Sequence, residues 1–342
     1  MDTVLFKNGR TVVLETTESS LINYANKIIL YHDTIAVFDA PMSSVLLFGK
    51  NGRYIDKIHH VGNGPGEYLK LYDVCLDSKN HCLALLVPDR KILYYSFGGN
   101  YLGELSFDKE ILSPVGIAIK EDWIYLLPPD SYNYRVLENS MYVFNRQTKE
   151  SKPIIYDRLY RDYWTFGSQF AWGDRMLFAQ RFNNVVYELK GTDFFPKYQF
   201  VLGDFNLPDN LDREEYTQER LSELCDEKGY VFSIADLTES KKGILFRSNR
   251  PGFFYYNKQS QNIEYYESIM SSSTQFSYSS LLSLEGAPGK VVFVMRGWII
   301  SMIKEALAKY PSDSEGYRKK QALMNQVVAD DPNPILFMYE LK

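Results

Sequence analysis

The chain has 342 residues, 45% hydrophobic and 15% aromatic, with 38 Lys and Arg against 43 Asp and Glu for a formal net charge of −5. So large an apolar share excludes a disordered chain, and an acidic balance builds no field for a polyanion, which argues against nucleic acid as a partner. No apolar stretch approaches the roughly 18 residues of a transmembrane helix, and three cysteines, Cys75, Cys82 and Cys225, make neither a disulfide framework nor a metal-ligand spacing.

The first residues, 1–6, have no basic segment leading into an apolar one, so they are not a signal peptide as they stand. A cytoplasmic chain and an exported chain that has lost its leader both fit. Residues 11–14 (Thr-Val-Val-Leu) read as a strand. After them six segments share one grammar: a short apolar run, a polar break, a second aromatic-rich run and a turn. The paired runs are 35–39 with 45–48, 82–87 with 92–95, 123–127 with 141–145, 176–179 with 185–189, 243–246 with 253–257, and 291–295 with 335–339. Asn and Gly in the breaks accept positive φ and predict hairpin turns.

The first two units also repeat as text. The pattern of residues 45–55 returns 47 positions later at 92–102. A strand unit recurring every 40–50 residues or so marks a β-propeller blade. The expected fold is all-β: one six-bladed β-propeller domain over residues 1–342, with helical insertions at about 209–228 and 297–330. Each first run is read as an inner blade strand and each second run as the next one out. Strand 11–14 would close the ring beside 335–339.

The insertions follow helical spacing. Residues 210–227 carry Leu211, Leu221 and Leu224 after Pro208, with Asp209 or Asn210 as cap. Residues 298–309 and 315–329 read as two helices split by Tyr310-Pro311-Ser312-Asp313. Placed inside strand-to-strand connections, these helices should cap one propeller face.

Between the first two units lies Val61-Gly62-Asn63-Gly64-Pro65-Gly66-Glu67-Tyr68. It is no dinucleotide fingerprint, because a strand rather than a helix follows and Pro65 removes an amide donor. A turn linking two blades is the expected role for Gly62, Gly64, Pro65, Gly66, Glu67 and Tyr68, with Glu67 accepting backbone N–H groups. This motif resembles the Gly-x-Gly-Pro-Gly-Glu-Tyr signature of six-bladed propellers from gut bacteria, related in pattern to NHL-repeat and TolB-like propellers. Residues 331–336 resemble that family's closing strand. The resemblance implies a cell-envelope protein, a processed lipoprotein of the periplasm or outer-membrane surface whose lipid anchor went with the leader. It supplies no catalytic residues.

Catalytic patterns are scarce. Adjacent His59 and His60 would point to opposite faces of a strand, no Gly-x-Ser-x-Gly elbow is present, and His81 is the last histidine. No metal or other cofactor is expected. The carboxylates Asp39, Asp89, Asp122 and Asp174 fall near blade strands, which leaves a hydrolase or lyase built from carboxylates and Tyr at the channel mouth as the alternative. The leading expectation is a non-enzymatic binding protein for a glycan, peptide or protein. Its candidate ligand residues are loop aromatics interleaved with Arg and Asn: Tyr132, Tyr134, Arg135, Trp164, Trp172, Arg181, Asn183, Arg247 and Arg250. Blade packing competes for the same aromatics.

Overall fold

The computed structural model describes residues 2–88, 90–107, 114–127, 140–155, 167–179, 184–208, 218–278 and 280–342. Apart from a two-stranded ribbon, Ile269–Met270 with Ser277–Tyr278, their strands fall into six four-stranded antiparallel groups, the blades of a propeller. Blade 1 is Lys27–Tyr31, Thr34–Asp39, Ser44–Gly49 and Tyr54–Ile58. Blade 2 is Asp73–Asp77, Cys82–Val87, Lys91–Tyr95 and Tyr101–Ser106. Blade 3 is Gly116–Lys120, Trp123–Leu127, Ser140–Asn145 and Ser151–Ile155. Blade 4 is Phe170–Trp172, Met176–Ala179, Val185–Lys190 and Asp193–Gln199. Blade 5 is Ile234–Glu239, Gly243–Ser248, Phe253–Asn257 and Ile263–Tyr266. Blade 6 is Leu282–Glu285, Lys290–Met295 and Ile335–Leu341, completed by the N-terminal strand Phe6–Val13. In that closure Thr11 pairs with Phe337, Val12 with Leu336 and Val13 with Ile335. Parallel pairing of Ile28 with Leu284 joins blades 1 and 6 at their first strands.

The first apolar run of each unit is an inner strand but not the one at the axis. First strands of neighbouring blades touch one another, so they line the axis. The runs 35–39, 82–87, 123–127, 176–179, 243–246 and 291–295 are second strands. They are apolar because a blade on either side covers both their faces, and Cys82–Val87 is buried at every position. The fourth strand of the same blade, Tyr101–Ser106, is mostly exposed. The core lies between blades: Ala36 and Leu47 of blade 1 pack with Leu83 and Leu85 of blade 2. Each such leucine contributes on the order of 1.5–3 kcal/mol of transfer free energy.

The 47-residue repeat is a repeat of backbone geometry. Gly52 and its counterpart Gly99 sit at φ +88° and +83°, which glycine adopts at little cost. The ladder slips between Leu47 and Phe48 in blade 1 and between Tyr94 and Tyr95 in blade 2.

Antiparallel blades with parallel first strands have two unlike faces. One carries the tight turns after every first and third strand. The other carries the turns after second strands and the passages between blades, and among the described residues the long connections lie there, 14–26, 59–72 and 296–334 among them. Helix α1 is Asp2–Leu5, and α2 is Gln218–Lys228. Its expected N-terminal half, 209–217, lies outside the described residues. Helices α3 (Gly297–Lys309) and α4 (Glu315–Met324) form the insertion of blade 6. The Ser314 hydroxyl caps α4 by accepting from the Tyr317 N–H at 3.2 Å. Helix α4 stops at Met324 rather than near residue 329. Asn325 closes it by donating to the Gln321 carbonyl, and the chain then turns so that Val327 is buried with Leu323 and Met324.

Candidate functional site: the axial channel mouth

At the long-connection end the first strands open into a cavity of about 330 Å³. Its wall combines apolar groups, Phe38, Val115, Leu127, Phe170 and Leu282, with polar ones, Asn26, Lys27, Asp73, Ser168, Gln169 and Asp236.

The charged groups are cross-links between blades. The Lys27 ammonium of blade 1 donates to Asp73 Oδ1 of blade 2 at 2.6 Å and to the Val74 carbonyl at 2.8 Å. Asp73 Oδ2 in turn accepts from the Ile117 N–H of blade 3 at 3.0 Å. Burial pushes the Lys27 ammonium down, but the negative charges of Asp73 and Glu285 outweigh burial and its pKa is raised. Across the mouth, Asp236 of blade 5 accepts from Arg247 Nε at 2.9 Å and Nη2 at 2.5 Å. It also accepts from the Ser168 N–H and the Ser283 N–H, both at 3.3 Å, which ties blades 4, 5 and 6 together. Asp236 has φ +49°, at a slip of the ladder between Ala235 and Thr238. A Cβ on Gly167 would lie 2.0 Å from the Asp236 carboxylate, so a side chain is excluded there.

Below the mouth the channel holds two orphaned polar atoms. Glu285 Oε1 accepts from the Leu76 N–H at 2.6 Å, reaching from blade 6 past blade 1 to blade 2. Its Oε2 is buried without a partner, as is Trp172 Nε1 of blade 4. Burial pushes the Glu285 acid up to about 8, although Lys27 and the Leu76 amide oppose the shift. The Trp172 ring centroid lies 5.6 Å from the Lys27 nitrogen, within cation–π range.

The glycine motif packs as a turn on the same face, between blades 1 and 2. The Gly64 N–H donates to Glu67 Oε2 at 2.8 Å, and the Glu67 N–H donates to the Gly64 carbonyl at 3.0 Å. Gly62 lies against that carboxylate, 2.0 Å from where a Cβ would sit. Gly66 has φ +77° and its carbonyl accepts from the Tyr95 hydroxyl. The Tyr68 hydroxyl donates to the Ser43 and Ile58 carbonyls at 3.0 and 3.1 Å. Pro65 sits within this turn, between Gly64 and Gly66.

The ligand residues expected from sequence are not brought together. Tyr132, Tyr134, Arg135, Trp164, Arg181 and Asn183 lie outside the described residues. Trp172 sits on the axis below the mouth, and Arg247 reaches the mouth but is committed to Asp236. Arg250 is elsewhere: it donates to the Gly229 carbonyl at 2.6 Å and lies 4.3 Å from the Phe205 ring, clamping the passage from blade 4 to blade 5. The two arginines diverge, because Arg247 lies near the end of the strand Gly243–Ser248 and Arg250 in the turn after it.

The carboxylates named from sequence do not converge either. Asp39 is fully buried and accepts from the Asn23 N–H at 2.6 Å. Asp122 pairs with Lys79 and Arg146 at the tight-turn face, and Asp174 lines a different cavity there. Asp89 lies outside the described residues. The three thiols are buried and unbonded, and burial pushes Cys82 and Cys225 up to about 12. No group of three or more His, Cys, Asp or Glu among the described residues could hold a metal ion. Lys27, Asp73, Asp236 and Glu285 escaped the sequence reading. The only signal for them was acidic and basic residues inside short strands that precede the apolar runs.

With this geometry in view, the chain can be compared with known proteins. A family model described as "Domain of unknown function (DUF4934)" matches residues 3–340. The chain belongs to the DUF4934 family. Among curated proteins none matches. The DUF4934 chain is similar in structure to a candidate exported protein of Bacteroides fragilis, at TM-score 0.76 and 18% identity, over 100% of this chain and 96% of the other. That similarity concerns the fold. A DUF4221-family protein from Bacteroides vulgatus aligns at TM-score 0.48 and 11% identity over 99% and 97% of the two chains. Streptogramin B lyase aligns at 0.44 and 12% over 85% and 80%. Among the described residues no helix is long and apolar enough to cross a membrane.

Proposed function

We propose that this chain is a non-enzymatic binding protein of the bacterial cell envelope, a single six-bladed propeller domain of the NHL and TolB-like kind. It recognises a glycan or peptide at the axial channel mouth. The observation that carries the reading is the mouth itself: a cavity of about 330 Å³ with an apolar and aromatic wall and polar groups at its edge, ringed by the long connections. A concave, mostly apolar site with a few converging polar groups is the usual form of a ligand site. Its charges are already paired, so the site suits an uncharged polar ligand such as a sugar ring or a peptide amide. Export as a processed lipoprotein follows from the glycine-motif resemblance, and a candidate exported Bacteroides protein shares the fold.

The test is a thermal-shift screen against neutral glycans, peptides and divalent metals, run on the natural chain and on Val115→Trp. Val115 lines the mouth and is partly exposed, so an indole there fills the cavity without breaking a hydrogen bond. A ligand selective for the folded state raises the melting temperature by mass action. A glycan or peptide that shifts the natural chain but not Val115→Trp supports the reading. Equal shifts for both proteins contradict it.

A second reading has its own observation: Asp73 with Lys27, and Asp236 with Arg247, place carboxylates beside cations at the mouth, as a hydrolase or lyase would need. Against it, both carboxylates are saturated by backbone amides and cations that join blades. Turnover of a glycan by the natural chain, abolished in Asp73→Asn, would favour this second reading.

A further inference from the structure

The opposite face holds a second cavity, larger and of different chemistry. It measures about 530 Å³ and lies among the tight turns of blades 4, 5 and 6. Six cationic side chains line it, Lys7, Arg175, Lys241, Lys242, Lys258 and Lys342, against three carboxylates, Asp174, Glu239 and Glu340. In a chain whose net charge is −5, this is a local reversal of sign.

Two of the three carboxylates are already occupied. Glu239 takes Lys258 Nζ at 2.5 Å, the Tyr198 hydroxyl at 2.5 Å and, more distantly, Arg175 Nε at 3.8 Å. Burial pushes the Glu239 acid up, but Lys258, Tyr198 and Arg175 outweigh it, so the group is a firm carboxylate. Glu340 takes Lys7 Nζ at 2.7 Å and the Asn8 amide at 2.9 Å. Lys241 and Lys242 stand at the exposed turn of blade 5, and no carboxylate among the described residues pairs with either. The apolar groups of the wall are Trp172 and Pro288, with Ala171, Leu177 and Leu341 buried behind them.

An apolar wall containing an indole, with unpaired ammonium groups at the rim, matches one ligand shape. A sugar ring offers C–H faces to an aromatic or aliphatic surface, and an acidic substituent offers oxygens to cations. We infer that this cavity is a binding site for an acidic sugar, a uronic-acid residue within an oligosaccharide, its carboxylate held by Lys241 and Lys242 and its ring lying against Trp172 and Pro288. The site is separate from the channel mouth and does not depend on what the mouth binds.

The experiment is isothermal titration of the full chain with tetragalacturonate, with its methyl ester as the uncharged counterpart, and with inorganic sulfate. Three proteins are compared: the natural chain, the double variant Lys241→Glu with Lys242→Glu, and Val115→Trp. Both lysines are exposed and make no side-chain contact that the fold needs, and circular dichroism checks that the double variant is folded. Tetragalacturonate should bind the natural chain and Val115→Trp alike. In the double variant its affinity should fall by about tenfold or more, as expected for losing charge-assisted hydrogen bonds. The ester should bind at least about tenfold more weakly than the acid, and added salt should weaken the acid's binding. No binding of tetragalacturonate, equal binding of acid and ester, or an unchanged affinity in the double variant would each overturn the proposal. Sulfate binding as tightly as the oligosaccharide would mean an adventitious ion only, and would also overturn it.

Discussion

The two faces of this propeller are built from the same strands and solve different problems. On the tight-turn face the chain reverses in two to five residues, and beside the buried pair of Asp77 with Arg146 several charges sit at the surface, as in Lys50 with Asp33. On the long-connection face the chain wanders through connections such as 296–334 before returning, and its charges are sunk between blades. Asp236 and Arg247 there are 3% and 17% exposed in their side chains, whereas Lys50 and Asp33 are 58% and 76%. The lesson is that polar groups near the axis at the long-connection face hold the ring in register. Those at the tight turns divide: Asp77 with Arg146 and Glu239 with Tyr198 are likewise spent between blades, while Lys50 with Asp33 and the lysines of the turn 240–242 are left for solvent or ligand.

The sharpest way to break that contrast is Asp236→Ala. It strands the Arg247 guanidinium and two N–H groups from neighbouring blades. Removing one partner of a buried pair costs about 3–5 kcal/mol, to be read from urea unfolding, and Asp236→Asn should lose distinctly less. If Asp236→Ala costs no more than a surface substitution, the inter-blade role is wrong.

The next effect is a pH dependence from Glu285. Its acid is raised from an ordinary 4.5 to about 8 by burial. Between those values the folded chain keeps a proton that the unfolded chain has released. This contribution is therefore fully present below pH 4.5 and is lost as pH climbs through 8. Glu285→Gln should remove that slope and leave the chain more stable than the natural one at pH 9, by an amount on the order of a few kcal/mol. An unchanged slope between pH 5 and pH 9 in the variant would assign the titration to another group.

Smaller effects belong to the glycine turn. Gly66→Ala forces a side chain into φ +77° against the Tyr101 ring and the Tyr95 hydroxyl and should cost about 1–3 kcal/mol. Glu67→Ala loses one bond to the Gly64 N–H and should cost about 1 kcal/mol, measured the same way. At the foot of the series, Lys50→Ala on the tight-turn face should leave the denaturation midpoint where it was.

What the sequence made legible follows this division. The blades were readable because the second and third strands are covered on both faces and so appear as uninterrupted apolar runs. The turn and slip at Gly52 recur at Gly99, so two units repeat as text. The closure of blade 6 by residues 11–13 was readable for the same reason, since Val12 is buried against the strand Ile335–Leu341. The first strands were not readable. Asp73–Asp77 and Leu282–Glu285 point polar side chains at the axis, which shortens and breaks the apolar signal, and so the whole mouth stayed hidden. Arg247 and Arg250 show the remaining limit. Three residues apart, they are alike in sequence, and only the direction of the turn sends one to the axis and the other to the rim.

The most direct measurement is hydrogen exchange by mass spectrometry on the chain with and without whichever neutral glycan or peptide raises its melting temperature. Recognition at the mouth predicts slowed exchange in the segments around Lys27, Asp73, Gly116, Gln169 and Ser283, five blades protected together around one axis. Protection confined to residues 240–242 and the other tight turns, with the mouth unchanged, would contradict the account.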